Sequence, residues 1–478
     1  MKITLIYPPI SVQDRYGTDI GDIGGRQAPL GVLYLSAFIK NAGHEVQVID
    51  AEAERLSCNQ IIERVKSFNP VAVGISITTV AYQNSSNLAA ELKKCFPNLL
   101  ISGGGAHITA NSDLFLNDSS FELGIVGEGE NTLLELLECG FDKKVYPTIN
   151  GLVYRDESGK VVLSPPREHL NPLDKLPFPD RDALSDISIY RPPIGCYQED
   201  FVVSMMTSRG CPYQCIFCDN NTFGRKIRYF SPEYVISEIE MILTKYQAKE
   251  ITFVDDTFPS NRKRFKKILE MILDKNLRFS WTCMANLKDI DEELAPLMKK
   301  AGCWQIAVGI ESGDDEILKL IKKNLTTELI RKKVKILHQN GIMVKGFFMM
   351  GHPGETPETL KKTTELALSL PLTDVTCTIA TPIKGTELYR MAASGKYGKF
   401  KAEADFSEFN YWEPVFTPSA LSPNELYQAQ REFFKKFYLR PSIMFRQIKK
   451  IKRPVILKRT LQTVWKILRM KPKQKIAE

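Results

Sequence analysis

The sequence predicts an α/β fold built as two successive units, a doubly wound parallel sheet followed by an open six-unit (β/α) barrel, and a helical basic C-terminal tail. Three observations predict it. Five short β-rich runs alternate with helical stretches over residues 2–140, six more do so over 201–382, and the positive charge collects beyond residue 440. The 478 residues are 43% hydrophobic and 25% charged, close to the balance of a globular chain, which excludes a disordered or multi-spanning protein. At about 100 to 200 residues per domain, the length implies two or three domains.

The first series opens with KITLIYPP (2–9) and continues through a helix over 30–42, EVQVID (45–50), a helix near 58–68 and VAVGISIT (71–78). A helix near 82–96, NLLISGGG (98–105), LGIVGEGE (123–130) and a helix opening at Asn131 complete it. Apolar strands separated by helices give a parallel sheet, and ligands of such sheets sit beyond the carboxyl ends of the strands. Those ends carry Asp50, Ser76, Gly103 to Gly105 and Gly127 to Glu130. Glycine there lets a backbone approach a bulky ligand, although a purely structural tight turn reads the same way.

Residues 141–200 are punctuated by Pro147, Pro165, Pro166, Pro172, Pro177, Pro179, Pro192 and Pro193, the composition of an interdomain linker. The second series then places strands at FVVSMMTSRG (201–210), EITFVDD (250–256), FSWTCMAN (279–286), WQIAVGIES (304–312), MVKGFFMMG (343–351) and DVTCTIATP (374–382). Six repeats fall short of a complete eight-unit barrel. Asp255, Asp256, Asn286, Glu311, Ser312 and His352 gather at the strand ends, where a barrel has its catalytic mouth. The chain is thus expected to divide at 1–140, 141–200, 201–390 and 391–478.

Cysteine spacing carries the chemistry. In SRGCPYQCIFCDN, Cys211, Cys215 and Cys218 place three thiols on one loop, and soft sulfur selects zinc or an iron–sulfur cluster. A structural zinc site is closed by four ligands, and no partner pair with ligand spacing occurs elsewhere. Three cysteines on a [4Fe-4S] cluster leave one iron open to a substrate or cofactor; zinc or coincidence is the alternative. The remaining cysteines, Cys58, Cys95, Cys139, Cys196, Cys283, Cys303 and Cys377, lack mutual ligand spacing and read as small core residues.

The CxxxCxxC loop, with Phe217 before the third cysteine, resembles that of the radical S-adenosylmethionine (SAM) superfamily. The resemblance implies a [4Fe-4S] cluster whose free iron chelates the methionine part of SAM, and an electron that cleaves SAM into methionine and a 5′-deoxyadenosyl radical. It further implies that VDDTF, with Asp255 and Asp256, and VGIESG, with Glu311 and Ser312, lie toward SAM. GHPGET (351–356) and TPIKGTELY (381–389) match later strand-end loops. An acidic strand end alone reads equally as a helix cap or a solvated turn.

The N-terminal series resembles the cobalamin-binding domain that precedes the barrel in one branch of that superfamily. PLG at Pro29 to Gly31, VQVIDA, GISITT, GGGAHIT and VGEGENTLLELL carry this likeness, which with FYLRP (437–441) extends over roughly residues 1–442. It implies that Ser76, Thr78, Gly103 and Gly104 surround the nucleotide tail of cobalamin, with His107 as a polar neighbour; a lone histidine is also commonly structural. The DxHxxG pattern that supplies an axial histidine in some such domains is absent, since Glu52 follows Asp50 where histidine would stand. Many members of the branch share that absence.

The net charge of +8 is uneven: residues 440–478 hold 13 Lys or Arg and one acid, leaving about −4 for the rest. In the tail, Ile448, Ile451, Leu461, Val464, Trp465 and Leu468 recur near helical spacing, interrupted by Pro454. Such a segment packs on the barrel, lies on an anionic membrane surface or meets another partner; nucleic acid is disfavoured because no recognition motif accompanies the charge. No apolar run reaches the roughly 18 residues of a spanning helix, and no signal-peptide layout precedes the first strand, so the chain is expected in the cytoplasm, with the inner membrane face as a peripheral site.

These readings converge on a cobalamin-dependent radical SAM enzyme, foremost a methyltransferase acting at an unactivated carbon of a small or lipid-like molecule, with flavodoxin or ferredoxin as electron donor. An oxidative cyclase or ring-rearranging enzyme shares the cofactors without alkylating its product. A noncatalytic iron–sulfur or cobalamin-binding protein is the reading from another class.

Overall fold

The computed structural model describes residues 1–443 except 12, 13, 15–24, 118, 119, 194, 200, 404–407, 410, 411 and 442. The basic tail, with every residue named in it above, lies outside the described residues. The first unit is a sheet of β1 (Lys2–Tyr7), β2 (Glu45–Asp50), β3 (Ala72–Ser76), β4 (Leu100–Gly104), β5 (Leu123–Ile125), β6 (Leu152–Arg155) and β7 (Val161–Leu163). Its order is β2-β1-β3-β4-β5-β6-β7, and the first five strands are parallel. Helices Cys58–Phe68 and Tyr82–Cys95 cover one face through Ile61, Val65, Leu88 and Leu92. Helices Leu30–Asn41 and Glu130–Glu138 cover the other through Val32, Ile39, Leu133 and Leu136. Covering on both faces explains why the strands are apolar throughout rather than alternating.

The segment expected as a linker contributes β6 and β7, which join the sheet antiparallel. The turn between them is made by Asp156, whose carboxylate accepts the Ser158 and Lys160 amides, and by Gly159 at φ +82°. Burial of Leu152 and Val153 repays the pairing. Among the described residues, the stretch between β7 and the second unit carries no strand.

The second unit runs β8 (Val202–Met205), the ribbon β9 (Ser208–Arg209) and β10 (Arg228–Tyr229), then β11 (Glu250–Phe253), β12 (Ser280–Ala285), β13 (Cys303–Glu311), β14 (Met343–Met350) and β15 (Asp374–Ile379). Its sheet is six-stranded and parallel, in the order β15-β14-β13-β12-β11-β8, as an open six-unit barrel requires. Phe348 on β14 packs against Phe433 of the helix Pro423–Tyr438, ring centroids 5.1 Å apart. Even-numbered β14 residues therefore face the helices, and Lys345, Phe347 and Met349 face the interior. Register carries the same alternation to β13, putting Ala307 and Gly309 inside. A second ribbon, β16 (Gly398–Phe400) with β17 (Phe416–Pro418), precedes the last described helix.

Three consecutive residues tie the units together. The Asp180 carboxylate accepts from Ser36 and pairs with Lys40 on the helix Leu30–Asn41, both at 2.6 Å. Arg181 pairs with Glu238 of the barrel helix Pro232–Lys245 at 2.7 Å, with neither side chain reaching solvent. Asp182 accepts from Tyr246 at 3.0 Å.

Candidate functional site

Cys211, Cys215 and Cys218 follow β9 on a loop fixed by backbone bonds. Cys211 donates to the Gly224 carbonyl at 3.3 Å, Ile216 to Ile321 at 3.1 Å, and Leu388 to Ile216 at 2.9 Å. Gly210 enters the loop at φ +96°, and a Cβ there would fall 2.9 Å from the Gly224 oxygen. The three thiols interact electrostatically: Cys215 and Cys218 share a hydrogen bond, and Cys211 feels Cys215. That shared bond, with the Lys323 ammonium alongside, outweighs burial and brings the Cys215 thiol down to about 7. The pair thus yields a first proton readily and the second reluctantly. Among the described residues, no three His, Cys, Asp or Glu side chains are grouped as the donors of one metal ion. A cubane asks for a different spread, because each thiolate takes a separate iron.

Facing this loop stands a pair that the sequence reading half found. Glu311, at the end of β13 with φ +67°, receives a hydrogen bond from Lys323 at 2.8 Å, and both side chains are buried. Gly309 makes room for them, since a Cβ there would lie 2.3 Å from Glu311 Oε1 and 2.5 Å from Lys323 Nζ. The Lys323 ammonium is 6.0 Å from the Phe217 ring centroid, and Phe217 lies 5.7 Å from the His352 ring. His352 is fully buried, neither ring nitrogen has a hydrogen-bond partner, and burial with nearby Lys323 holds it neutral, its pKa down to about 3. Its loop is held by Glu355, which accepts from the Gly351 and His352 amides at 2.5 and 3.0 Å. An ammonium, a carboxylate and an unsatisfied imidazole beside three thiols suit a ligand with both charged and neutral polar groups.

The other strand-end residues divide. Asp256 is solvent-exposed and close enough to Cys211 to raise that thiol's pKa. Asp255 is buried instead and accepts from the Thr207 amide at 3.1 Å, from its hydroxyl at 2.8 Å and from Ser208, so it braces the approach to the cysteine loop and has no open face. Ser312 is likewise enclosed: its hydroxyl meets Thr363 at 3.3 Å and accepts the Asp314 amide at 3.2 Å. Both side chains are enclosed by protein partners in this structure.

In the first unit, strand order reverses between β1 and β3, the switch point at which doubly wound sheets bind ligands. Thr78 lies just past β3, and its hydroxyl is buried without a hydrogen-bond partner. Ser76 closes β3, its hydroxyl 3.5 Å from where a Cβ on Gly105 would stand. His107 is buried, stacked on Tyr82 at 4.5 Å, and 3.4 Å from both the Thr79 hydroxyl and the Asn111 amide. Burial and the Lys384 ammonium push its pKa down to about 4, so the imidazole is neutral. Lys384, on the 381–389 loop, reaches across to pair with Asp113 at 2.9 Å. A Cβ on Gly104 would meet only Ile125, at an ordinary 3.9–4.0 Å, whereas one on Gly103 would strike the Phe115 ring at 2.5 Å. Gly103 therefore makes room for a core phenylalanine, and Gly105, at φ +97° over the Ile77 backbone, shapes the loop.

Sequence reasoning missed Lys323, which sits in a run, KLIKKN, that reads as a solvated helix face. It also missed Arg209, whose guanidinium pairs with Glu128 at 2.8 Å and Glu130 at 2.7 Å across the two units. The repeated glutamates of VGEGE next to a glycine were the available signal.

The chain matches the Radical SAM superfamily over residues 205–367 and the B12 binding domain over residues 18–137. It is 33% identical to an uncharacterized methyltransferase of Pyrococcus horikoshii, covering 94% of this chain and 95% of that protein. It is 26% identical to an anaerobic magnesium-protoporphyrin IX monomethyl ester cyclase of Rubrivivax gelatinosus, covering 93% and 78%. Among solved structures, the cobalamin-dependent radical SAM enzyme OxsB superimposes with a TM-score of 0.77 at 18% identity, over 97% of this chain and 72% of that one. The methyltransferase TsrM of Kitasatospora setae does so at 0.70 and 18%, over 92% and 89%. The chain therefore belongs to the branch of the radical SAM superfamily that carries a B12 binding domain, enzymes that work with a [4Fe-4S] cluster, S-adenosylmethionine and cobalamin.

Proposed function

We propose that this protein is a cobalamin-dependent radical SAM methyltransferase that methylates an unactivated carbon of a small molecule. The observation that carries the reading is the placement of Cys211, Cys215 and Cys218 opposite the buried Lys323–Glu311 pair, beside the strand-end loops of a B12 binding domain. In this reading the three thiolates hold three irons and leave the fourth for SAM. Lys323 faces the carboxylate of SAM, Glu311 orients Lys323, and Asp256, Phe217 and His352 line the remainder of the pocket. Thr78, Ser76, Gly104 and His107 meet cobalamin. When bound, the cluster and SAM supply a hydrogen-abstracting adenosyl radical and cobalamin supplies the methyl group.

The methyltransferase relatives favour this assignment, including a cytidylyl-2-hydroxyethylphosphonate methyltransferase of Streptomyces wedmorensis at 28% identity over 76% of this chain. A second reading, oxidative cyclisation without methyl transfer, is favoured by the cyclase relative that spans 93% of the chain. A low-potential reductant is required in either case, with flavodoxin or ferredoxin as the donor. We further place the chain in the cytoplasm, with its basic tail as the contact to a membrane face and to a lipid-like substrate.

Anaerobic reconstitution with iron, sulfide and cobalamin, followed by SAM bearing a labelled methyl group, tests the assignment. The expected result is 5′-deoxyadenosine together with label in the product, and loss of 5′-deoxyadenosine in Cys215→Ala. Product without label supports cyclisation, and a fully loaded protein that leaves SAM intact supports a binding role.

A further inference from the structure

We propose that Arg209 is a positioning residue that transmits the state of the cobalamin-binding loops to the cluster loop, through a guanidinium forked between Glu128 and Glu130. The inference rests on the cofactor assignment above and goes beyond it by naming how the two sites are held in register.

The fork is built from both units. Arg209 Nη1 donates to Glu128 Oε1 at 2.8 Å and Nη2 to Glu130 Oε1 at 2.7 Å. The other Glu128 oxygen accepts from Arg228 at 2.8 Å and from the Leu170 amide at 2.9 Å. Two arginines and two glutamates thus balance their charges, all four buried. The Arg209 guanidinium is also clasped between aromatic rings, with Tyr34 of the first unit 5.3 Å away and Phe223 of the cysteine loop region 5.2 Å away. A buried ion pair adds little net stability over an apolar replacement, but its geometry is fixed because either partner alone is costly.

Its location gives the fork a task. On one side, Gly127 donates its amide to Thr109 Oγ1 at 3.0 Å, and Thr109 stands two residues past His107. On the other side, Arg209 is followed by Gly210 and then Cys211. A continuous path therefore runs from the helix Ala106–Ala110, through Gly127 and the two glutamates, to the first cysteine. With both cofactors bound, methyl transfer from SAM to cobalamin would depend on the separation that this path sets, whereas reductive cleavage of SAM at the cluster would not require cobalamin to be in place. A misplacement of about 1 Å can cost on the order of a hundredfold in a positioned reaction.

The test uses the full chain with its cluster reconstituted, as wild type, Arg209→Lys and Arg209→Met. Hydrogen–deuterium exchange is followed in peptides spanning 207–230, with and without hydroxocobalamin and without SAM. Cobalamin is expected to slow exchange there in the wild type and to slow only peptides of the first unit in both variants. Lysine should fail to restore the effect because it keeps the charge and loses the fork. With SAM and dithionite, the ratio of S-adenosylhomocysteine to 5′-deoxyadenosine should fall by about tenfold or more in both variants, while 5′-deoxyadenosine formation stays within about twofold. Equal slowing of the 207–230 peptides in wild type and Arg209→Met would overturn the proposal, as would a proportionate fall in both products. Should Arg209→Met not fold, Glu130→Gln removes one charged arm of the fork and should lower the ratio part way; an unchanged ratio overturns the proposal. Wild type that takes up no cobalamin overturns the cofactor assignment itself, and this inference with it.

Discussion

Removing the Lys323 ammonium strands the Glu311 carboxylate in the barrel interior. Deleting one partner of a buried pair costs about 3–5 kcal/mol, because the remaining charge is left without compensation. Lys323→Met is therefore expected to lower the urea midpoint of the cluster-free chain well below that of Lys323→Arg, and Glu311→Gln combined with Lys323→Met should recover part of the loss. His107 gives a second prediction. Its ordinary pKa of 6.5 falls to about 4 in the fold, through burial and then the Lys384 charge. As pH drops through 6.5 the unfolded chain takes up the proton and the folded chain does not, so stability is intact above 6.5 and declines until about pH 4. At about 1.4 kcal/mol per pKa unit the loss is on the order of 3 kcal/mol. His107→Gln should lose less stability than wild type between pH 7 and 5 in urea titrations. Legibility at this scale was partial. The cysteines announce themselves by spacing, whereas Lys323 is turned inward by a backbone whose neighbours Lys322 and Asn324 adopt φ of +54° and +56°, which no local pattern in KLIKKN reveals. Asp255 and Ser312 stand where the family pattern puts them, yet their partners Thr207, Ser208 and Thr363 come from distant strands and helices, so their enclosure was unreadable from local sequence.

At the scale of elements, the cysteine loop depends on the turn that launches it. Gly210 has φ +96°, and a Cβ would sit within 2.9–3.2 Å of three carbonyl oxygens, those of Phe223, Gly224 and Lys226. Gly210→Ala combines left-handed strain of about 1–2 kcal/mol with that crowding. We expect its iron content per chain after reconstitution to fall severalfold while the far-ultraviolet circular dichroism matches wild type; full iron loading would show that the loop tolerates the shift. The strands themselves were legible because they are short apolar runs, most of them closed by glycine, proline or acidic residues, and five of the six barrel strands fall within the predicted runs, β13 starting one residue early at Cys303. The hairpin of β6 and β7 was not, because neighbouring prolines made the whole stretch resemble a linker. The DESGK turn (156–160) contained the contrary signal, an aspartate capping its own turn before a glycine.

The two units meet through charged contacts, several of them buried, as well as apolar ones. Tyr34, Arg209, Glu128, Glu130 and Arg228 line the seam together with Asp180 and Arg181, and Tyr34 lies close enough to interact with both Arg181 and Arg209. Such a seam is sensitive to acid in a way that an apolar one is not. Burial alone would raise the Glu128 pKa, but Arg228 and Arg209 outweigh it and hold the carboxyl below its ordinary 4.5. A depressed carboxyl contributes stability that is complete above the unfolded value of 4.5 and is lost as pH falls through the lower folded value. Protonation then leaves two buried arginines facing a neutral acid, which penalises the closed seam more than either unit's own core. Calorimetry of the cluster-free chain should accordingly give one cooperative transition near neutral pH and resolve into two below about pH 4.5, with the first-unit and barrel transitions separating. Glu128→Gln, which imposes the neutral state at every pH, should show the two transitions already at pH 7. A single transition in that variant would mean that the apolar contacts around Tyr34 and Phe230 hold the units together without the charges.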